Sequence, residues 1–250
     1  MDFTKIDELK NKLKTSHFLN KTEIKGLQEE FMIENTYNSN AIEGNSLTLQ
    51  ETALILRGGI PIAGKTMKEH LEAIGHKDAF EHIITLANAN TPLTERIIKK
   101  IHSLVLMNDA PNKGAYRSIP VAIKGAMCIP PEPHLVPILM EALIADYDGM
   151  MQNMHIMEAV AEFHLRFEGL HPFIDGNGRT GRLILNLELI KAGLLPINIK
   201  FTDRRRYYDS FDDYCSNKHR PDALVSLIAE YETDELLKHI AMLEQLNDKE

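Results

Sequence analysis

The chain has 250 residues, of which 44% are hydrophobic and 26% charged, a composition typical of a globular protein with a sizeable core. Its formal net charge of -8 leaves no excess of Lys and Arg for binding nucleic acid or an anionic membrane surface. No apolar run approaches the roughly 20 residues of a membrane span, and Cys128 and Cys215 lack the neighbours expected of a zinc site or a disulfide framework. We therefore expect a cytoplasmic protein of a reducing compartment that binds neither nucleic acid nor membranes.

Apolar residues recur every three or four positions along most of the chain, which predicts an all-α fold. The expected helices, in chain order, lie around Ile6, from about Lys25 to Gly44, in LTLQETALILRGG, from about 67 to 88, after Thr94, and in LVPILMEALIADYDGM, IMEAVAEFHLRFEGL, RTGRLILNLELIKAG and PDALVSLIAEYETDELLKHIAMLEQL.

The exception is the segment from Gly114 to Pro133, in which β-branched residues flank Lys124-Gly125 and prolines close the stretch. This pattern predicts a short exposed β-hairpin. The hairpin edge, with Val121, Ala122 and Ile123, is able to pair with an extended segment of another protein. The alternative is a surface hairpin whose prolines protect its edge.

The stretch HPFIDGNGRTGR, His171 to Arg182, joins two of the predicted helices. Gly176, Asn177 and Gly178 favour a tight turn with positive φ and inward-pointing N–H groups. The helix that follows adds the free N–H groups and the positive dipole end of its N-terminus. Together these features predict an anion-binding cradle.

Charged side chains surround this cradle. Arg179 and Arg182 lie in the first turn of the helix, where the macrodipole disfavours cations, so a negative group should compensate them. A cradle with two arginines suits a polyphosphate, and Asp175 suits a Mg²⁺ ion that also binds the phosphate oxygens. His171 has the ordinary pKa of a general base at neutral pH. Taken singly, each of these residues is also compatible with a glycine-rich loop that merely connects two helices.

These residues resemble the signature HPFx(D/E)GNGRxxR of the Fic family of adenylyltransferases at every fixed position. The resemblance implies a Fic-type helical bundle with a hairpin flap, and transfer of AMP from ATP to a protein hydroxyl with release of pyrophosphate. It also implies that His171 deprotonates the target hydroxyl and that Asp175 holds Mg²⁺. The residues that it assigns to the phosphates of ATP are Gly176, Asn177, Gly178, Arg179 and Arg182.

A second stretch, NTYNSNAIEGNSLT, resembles the family's inhibitory helix (S/T)xxxE(G/N) at Ser39, Glu43 and Gly44. The resemblance implies that Glu43 pairs with Arg182 and excludes a productive γ-phosphate. The alternative is a solvated glutamate at a helix end. The resemblance divides the chain into an N-terminal helical region at 1–90, with the inhibitory helix at about 25–44, a catalytic core at 91–200, and C-terminal helices at 201–250 that complete the nucleotide site.

The same resemblance makes the hairpin a flap on which the protein target docks. On the adenine side, DRRRYYDSFDDY offers Tyr207 or Tyr208 for stacking, although a core or surface aromatic is an equal alternative. Similar proteins often carry an asparagine seven positions after the tyrosine pair, where this chain has Cys215. The target and the oligomeric state, including a homo-oligomer, are open.

Other functions remain open at this point. The motif alone does not determine which phosphorus is attacked, so kinase-like transfer, removal of AMP with Glu43 orienting water, and a non-catalytic binding module are alternatives. The stretch GIPIAGKT, Gly59 to Thr66, matches the P-loop pattern. A P-loop NTPase is disfavoured because that motif follows a buried parallel strand, whereas a helix is predicted here and Gly58 and Gly59 are expected to end it.

Overall fold

The computed structural model describes residues 1–15, 21–123 and 127–247. The α-helices in these ranges are α1 (Thr4–Thr15), α2 (Lys21–Ile42), α3 (Leu49–Gly58), α4 (Met67–Asn88), α5 (Glu95–Val105), α6 (Val136–Asn153), α7 (Ile156–Leu170), α8 (Asn177–Lys191), α9 (Arg204–Ser216) and α10 (Asp222–Asn247). Short 3₁₀ turns at Pro133–Leu135 and Phe201–Asp203 precede α6 and α9. The prediction of an all-α fold is confirmed.

Local capping sets the ends of α3 and α4. The side chains of Thr48 and Thr66 each accept a hydrogen bond from the backbone N–H of the glutamate three residues later. The carboxylate of that glutamate accepts a hydrogen bond from the backbone N–H of the threonine. These capping boxes satisfy N–H groups that a helix start leaves free. Gly59, at φ 62°, ends α3 in the left-handed conformation. The stretch Gly59–Thr66 therefore joins two helices, and the P-loop alternative is wrong because α3 stands where a strand is needed.

Helix α8 forms the centre of the molecule. Every residue from Arg179 to Leu189 is buried, so this helix is covered on all sides by its neighbours, chiefly α4, α5 and α7. One large apolar cluster unites side chains such as Phe80, Ile101 and Phe173 with Leu183 and Leu187 of α8. Burial of α8 carries its two N-terminal arginines into the interior, where they need partners.

A second apolar cluster joins the two ends of the chain. Phe3, just before α1, and Ile6 of α1 pack with residues of α10 that include Leu224 and Leu227, and with Leu189 of α8. The N-terminal and C-terminal helices thus pack on each other, and α10 also packs on α7. No described helix combines the length and the apolar composition needed to cross a bilayer.

The segment between α5 and α6 does not show the predicted hairpin as a pair of strands in its described residues, 114–123 and 127–133. Residues 124–126, which include the predicted turn at Lys124-Gly125, lie outside the described residues. The carbonyls of Ile119 and Pro131 both accept hydrogen bonds from the guanidinium of Arg117 instead of pairing with a strand. Prolines in this segment also remove donors that a ladder requires.

Cys128 and Cys215 form a disulfide, with Cα atoms 5.8 Å apart. The sequence suggested no disulfide for these two cysteines, so this expectation is wrong, and they no longer indicate a reducing compartment. The pairing links the segment before α6 to the last turn of α9. It could not be read from sequence because 87 positions separate the two residues.

Candidate active site

A six-residue loop between α7 and α8 carries the start of the motif. His171 ends α7 with a left-handed backbone, at φ 46° and ψ 60°, and Gly176 begins α8 at φ 78°. Between them, Phe173 is fully buried and its ring stacks on the ring of His102, with centroids 3.6 Å apart. Phe173 therefore anchors the loop in the core.

Asn177 closes the loop from inside. Its side-chain oxygen accepts a hydrogen bond from the backbone N–H of Phe173 at 2.9 Å, and its side-chain nitrogen donates to the carbonyl of Phe173 at 2.8 Å. The amide is buried, and both of its ends are used. Asn177 thus shapes the cradle with its side chain, while its backbone N–H stands in the first turn of α8.

His102 of α5 supports the same loop. The backbone N–H of Gly114 donates to its Nδ1 at 2.8 Å, so Nε2 carries the proton and donates to the carbonyl of Asp175 at 2.9 Å. Burial lowers the pKa of His102 to about 4. The ring is therefore neutral at physiological pH, as these two hydrogen bonds require.

Burial also lowers the pKa of His171 from its ordinary value, against the opposing effect of the Glu168 carbonyl and the negative charge of Glu43. The imidazole is consequently neutral at neutral pH and able to accept a proton. Its neighbour Glu168 lies in the same cavity, and burial raises the pKa of that carboxyl to about 8. His171 is thus an available base next to a carboxyl group that is largely protonated.

Arg182 is held by the segment that resembles an inhibitory helix. Its Nε donates to the hydroxyl of Ser39 at 3.0 Å, and its NH2 group donates to the Ser39 carbonyl at 2.9 Å and to the Glu43 carboxylate at 2.8 Å. The contact expected between Glu43 and Arg182 is therefore present. Gly44 follows Glu43 with φ 95°, so the chain turns away immediately after the contact.

The Glu43 carboxylate lies against the start of α8. A Cβ atom placed on Gly178 would come within 2.2 Å of Glu43 Oε1 and 3.0 Å of the Arg182 NH1 atom. The absence of a side chain at Gly178 thus allows an anionic group to reach the first turn of the helix. In this structure that group is the protein's own carboxylate.

Arg179 is compensated differently. Its side chain is 2% exposed, and its guanidinium forms ion pairs at 3.2 Å with Glu72 of α4 and with Asp175, and a hydrogen bond at 3.4 Å with Asn40. The sequence predicts a negative partner for both arginines, and internal carboxylates supply it in each case. Arg179 does not line the cavity described below, whereas Arg182 does.

Asp175 keeps one oxygen available. Its Oδ1 accepts hydrogen bonds from the Gly176 N–H at 2.6 Å and from Arg179 at 3.2 Å, whereas Oδ2 has the ammonium of Lys68 at 3.9 Å. The side chain is 47% exposed. In the described parts of the chain, no three His, Cys, Asp or Glu side chains are grouped to hold a metal. A metal here would need ligands from a bound substrate, as Mg²⁺ commonly uses.

A cavity of about 730 Å³ opens beside these groups, a size typical of sites for small organic ligands. Of the residues singled out in the sequence, it is lined by Glu43, Ile123, His171, Gly178, Arg182, Tyr207 and Tyr208. Val121 and Ala122 lie next to Ile123 in the chain but do not line the cavity. The structure therefore brings His171, Gly178, one arginine and the tyrosine pair to one cavity.

The two tyrosines differ in their surroundings. Tyr207 is buried, and its hydroxyl contacts Nε2 of His164 at 2.7 Å and accepts from Arg182 at 3.4 Å. Tyr208 is 36% exposed and lies beneath the guanidinium of Arg204, 5.0 Å from the ring centroid. Tyr207 thus supports Arg182 from α9, and Tyr208 offers the more accessible ring.

Three residues that hold the site together were not predicted from the sequence, namely Glu72, His102 and Arg117. His102 lies on the same apolar stripe as Ile98, Ile101 and Val105, all of which are buried. A histidine within a stripe of this kind was the available signal. Glu72 and Arg117 gave no such signal, because their partners come from other elements.

The fold and the site define a helical protein with a glycine-rich helix N-terminus, a neutral histidine and a cavity of a size typical of small-ligand sites. A model of the Fic/DOC family matches residues 92–189, which include α5 to α7 and most of α8. A Fic domain containing signaling protein from Bacteroides thetaiotaomicron has the same fold, with a TM-score of 0.88, 26% identity and 97% coverage of both chains. Residues 92–189 of this chain therefore form a domain of the Fic/DOC family.

Curated relatives agree with this assignment. The protein adenylyltransferase Fic of Culex quinquefasciatus is 34% identical over 214 residues, which are 83% of this chain and 41% of that protein. The protein of the same name from Nematostella vectensis is 34% identical over 223 residues, covering 87% of this chain and 51% of that protein. The chain thus spans between two fifths and about half the length of these relatives.

Proposed function

We propose that this chain transfers AMP from ATP to a hydroxyl side chain of a target protein and that Glu43 restrains the reaction. The observation that carries the proposal is the neutral His171 in the lining of a cavity of about 730 Å³ that Gly178 and Arg182 also line. The names of the curated relatives point to the same reaction.

In the proposed reaction, the target hydroxyl oxygen forms a bond to the α-phosphorus of ATP while the bond from that phosphorus to the bridging oxygen of the β-phosphate breaks. His171 accepts the hydroxyl proton, and pyrophosphate leaves. The N–H groups of Asn177 and Gly178 at the start of α8 bind phosphate oxygens, and that of Gly176 joins them once Asp175 Oδ1 releases it. Alignment of this kind is able to supply about 7–11 kcal/mol of the barrier reduction.

Arg182 would bind the distal phosphates once Glu43 has moved, since it lines the cavity and keeps its contacts with Ser39 and Tyr207. Arg179, which is paired with Glu72, would stabilise the phosphates through its positive charge and would fix the position of Asp175 through their ion pair.

Asp175 fits the role of a Mg²⁺ ligand, because its Oδ2 is not used by the loop and a hard cation prefers carboxylate and phosphate oxygens. Bound Mg²⁺ would neutralise phosphate charge. Lys68, near the same oxygen, would move aside, and its exposed side chain permits this.

Glu43 restrains the reaction because its carboxylate and a distal phosphate of ATP would occupy the same position. Glu43 puts a carboxylate at the N-terminus of α8 and on Arg182, where a distal phosphate of ATP would lie. Two anionic groups close together repel each other, so a productive triphosphate requires Glu43 to leave. Ser39 and Gly44 position it: Ser39 binds Arg182, and Gly44 ends the inhibitory segment.

The remaining assignments concern the rim of the cavity. We place the adenine of ATP near Tyr208 and Tyr207, and we place the target protein on a flap formed by Val121, Ala122 and Ile123. Ile123 lines the cavity, so a segment bound there would lie next to it. The target itself is a protein of unknown identity.

Removal of AMP from a modified protein is the second candidate function. It is favoured by one observation, namely that the Glu43 carboxylate lines the same cavity as His171 and its side chain is 31% exposed. A carboxylate in that place is able to orient a water molecule towards a phosphoester.

The test uses wild type, Glu43→Gly and the double variant Glu43→Gly/His171→Ala, each with Mg²⁺ and ATP labelled at the α- or the γ-phosphate. Label from the α-phosphate should enter protein with Glu43→Gly and not with the double variant. Label from the γ-phosphate would instead establish kinase-like transfer. No label from either position would exclude both transfers, and wild type would then be assayed for release of AMP from a modified protein.

A further inference from the structure

Arg117 connects the catalytic loop to the segment between α5 and α6. Its side chain is buried, with the residue 5% exposed, yet its hydrogen-bond partners are backbone carbonyls. Its Nε donates to the carbonyl of His171 at 2.8 Å, and its NH2 group lies 3.4 Å from the carbonyl of Leu170. Both acceptors stand at the C-terminal end of α7, where free carbonyls and the negative end of the dipole favour a cation.

The same guanidinium reaches both stems of the flap segment. NH1 donates to the carbonyl of Ile119 at 3.3 Å, and NH2 donates to the carbonyl of Pro131 at 2.5 Å. The backbone N–H of Arg117 also donates to the carbonyl of Pro172 at 2.9 Å. Arg117 thus forms hydrogen bonds to His171 at the end of α7 and to Pro172 in the loop that follows. It also bonds to Ile119 and Pro131, which lie on either side of residues 121–130.

This arrangement bears on His171 because its backbone is in an unfavourable conformation. A φ of 46° at a residue with a side chain is uncommon and costs free energy. A charge-assisted hydrogen bond to the carbonyl of that residue favours the left-handed conformation over extended alternatives. The conformation, in turn, directs the imidazole into the cavity.

We propose that Arg117 is a positioning residue, which holds His171 in its left-handed conformation and aligns the flap stems with it. The proposal rests on the proposed function, since it assumes that His171 acts as the base on a hydroxyl presented by the flap. Arg117 touches neither nucleotide nor target in this role. Its contribution is to keep two elements, the base and the flap, in one relative position.

An arginine is required for geometric reasons. The planar guanidinium presents several N–H donors in fixed directions, and here they serve four carbonyls at once. A lysine ammonium keeps the charge but concentrates its donors at one atom, so it is able to bind the end of α7 or the flap stems and not both. Arg117→Lys and Arg117→Gln therefore separate the charge from the geometry.

The positive charge of Arg117 also contributes to the lowered pKa of His171, after the larger effect of burial and against the opposing Glu168 carbonyl and Glu43. Removing the charge in Arg117→Gln should raise the pKa of His171, whereas Arg117→Lys should leave it nearer the wild-type value. A structural role confined to the flap segment would not move this pKa.

The experiment places Arg117→Lys and Arg117→Gln in the Glu43→Gly chain and measures α-label transfer over a range of pH, with Arg96→Gln as the matched control. Arg96 is an exposed arginine of α5. A misplacement of about 1 Å is able to cost about 100-fold in rate. We expect kcat to fall at least tenfold in both variants, binding of ATP to stay within twofold, and the acidic limb of the rate profile to move to higher pH in Arg117→Gln alone.

A kcat that stays within twofold of the Glu43→Gly chain in Arg117→Lys would overturn the proposal. A fall in kcat accompanied by an equal loss of ATP affinity would also overturn it, because Arg117 contacts no part of the phosphate cradle. The pKa of His171, followed by NMR in the wild-type and Arg117→Gln chains, needs no catalysis. If the Glu43→Gly chain transfers no label, the proposed function fails. An unchanged pKa of His171 in Arg117→Gln would then overturn the positioning role separately, and a raised pKa would support it.

Discussion

Replacing Glu43 by glutamine should raise the affinity of the protein for ATP. Glu43 lies one residue beyond the end of α2, so neither glutamine nor glycine at this position interrupts the helix. The substitution removes the negative charge from Arg182, while Ser39 and Tyr207 continue to bind the guanidinium. Arg182 is therefore not left as an unpaired buried charge, which would obscure the effect.

The magnitude follows from the contact that ATP must displace. A hydrogen bond to a charged group contributes about 1.5–3 kcal/mol net. The Glu43 side chain is 31% exposed, so solvent weakens the pair and places it in the lower part of that range, at about 1.5–2 kcal/mol. Because each 1.4 kcal/mol is a factor of ten, ATP should bind Glu43→Gln about 10–30 times more tightly than wild type.

Isothermal titration with ATP and Mg²⁺ measures this difference, and Glu30→Gln is the matched control. Glu30 lies on the same helix, about 20 Å away along its axis, and pairs with Arg57 instead. It carries the same charge, so a general electrostatic effect would appear in both variants. Equal ATP affinities for wild type and Glu43→Gln would refute the reasoning, and so would an equal increase in Glu30→Gln. AMP, which lacks the distal phosphates, should gain much less than ATP.

Three further predictions concern the disulfide, the buried histidines and the metal site. Cys128→Ser removes the link to Cys215 and should lower the free energy of unfolding by about 4.6 kcal/mol or less, from the entropy of closing a loop of 87 residues; unchanged urea unfolding in non-reducing buffer would contradict the pairing. Burial lowers the pKa of His76 and of His164 to about 3, so each stays neutral in the folded protein, whereas the unfolded chain takes up protons below about pH 6.5. The free energy of unfolding should therefore keep its full value above about pH 6.5 and fall on acidification, by up to about 1.4 kcal/mol per pH unit for each histidine. A free energy of unfolding as large at pH 5 as at pH 7 would argue against this. Asp175→Asn should reduce α-label transfer and weaken its dependence on Mg²⁺ concentration, and an unaltered Mg²⁺ titration would exclude this carboxylate as a ligand.

Helix boundaries were the most predictable part of the structure. The segment expected at about 67 to 88 is α4, Met67–Asn88, and its start is set by a capping box between Thr66 and Glu69. Signals of this kind operate within a few residues, so the sequence contains them in full. Helix α9 was not predicted by its apolar pattern, because RRRYYDSFDDYCS buries only Tyr207, Ser210 and Tyr214.

The sequence by itself determined the helical fold and the tight turn at Gly176 before α8, since each depends on hydrogen bonds and backbone angles of neighbouring residues. Only the tertiary structure decided which groups compensate the two arginines. Glu72 reaches Arg179 because α4 packs on α8, and Cys128 reaches Cys215 because the segment before α6 lies beside α9. Such pairings join residues far apart in the chain, and they exist only once the packing of the helices has set the distances between them.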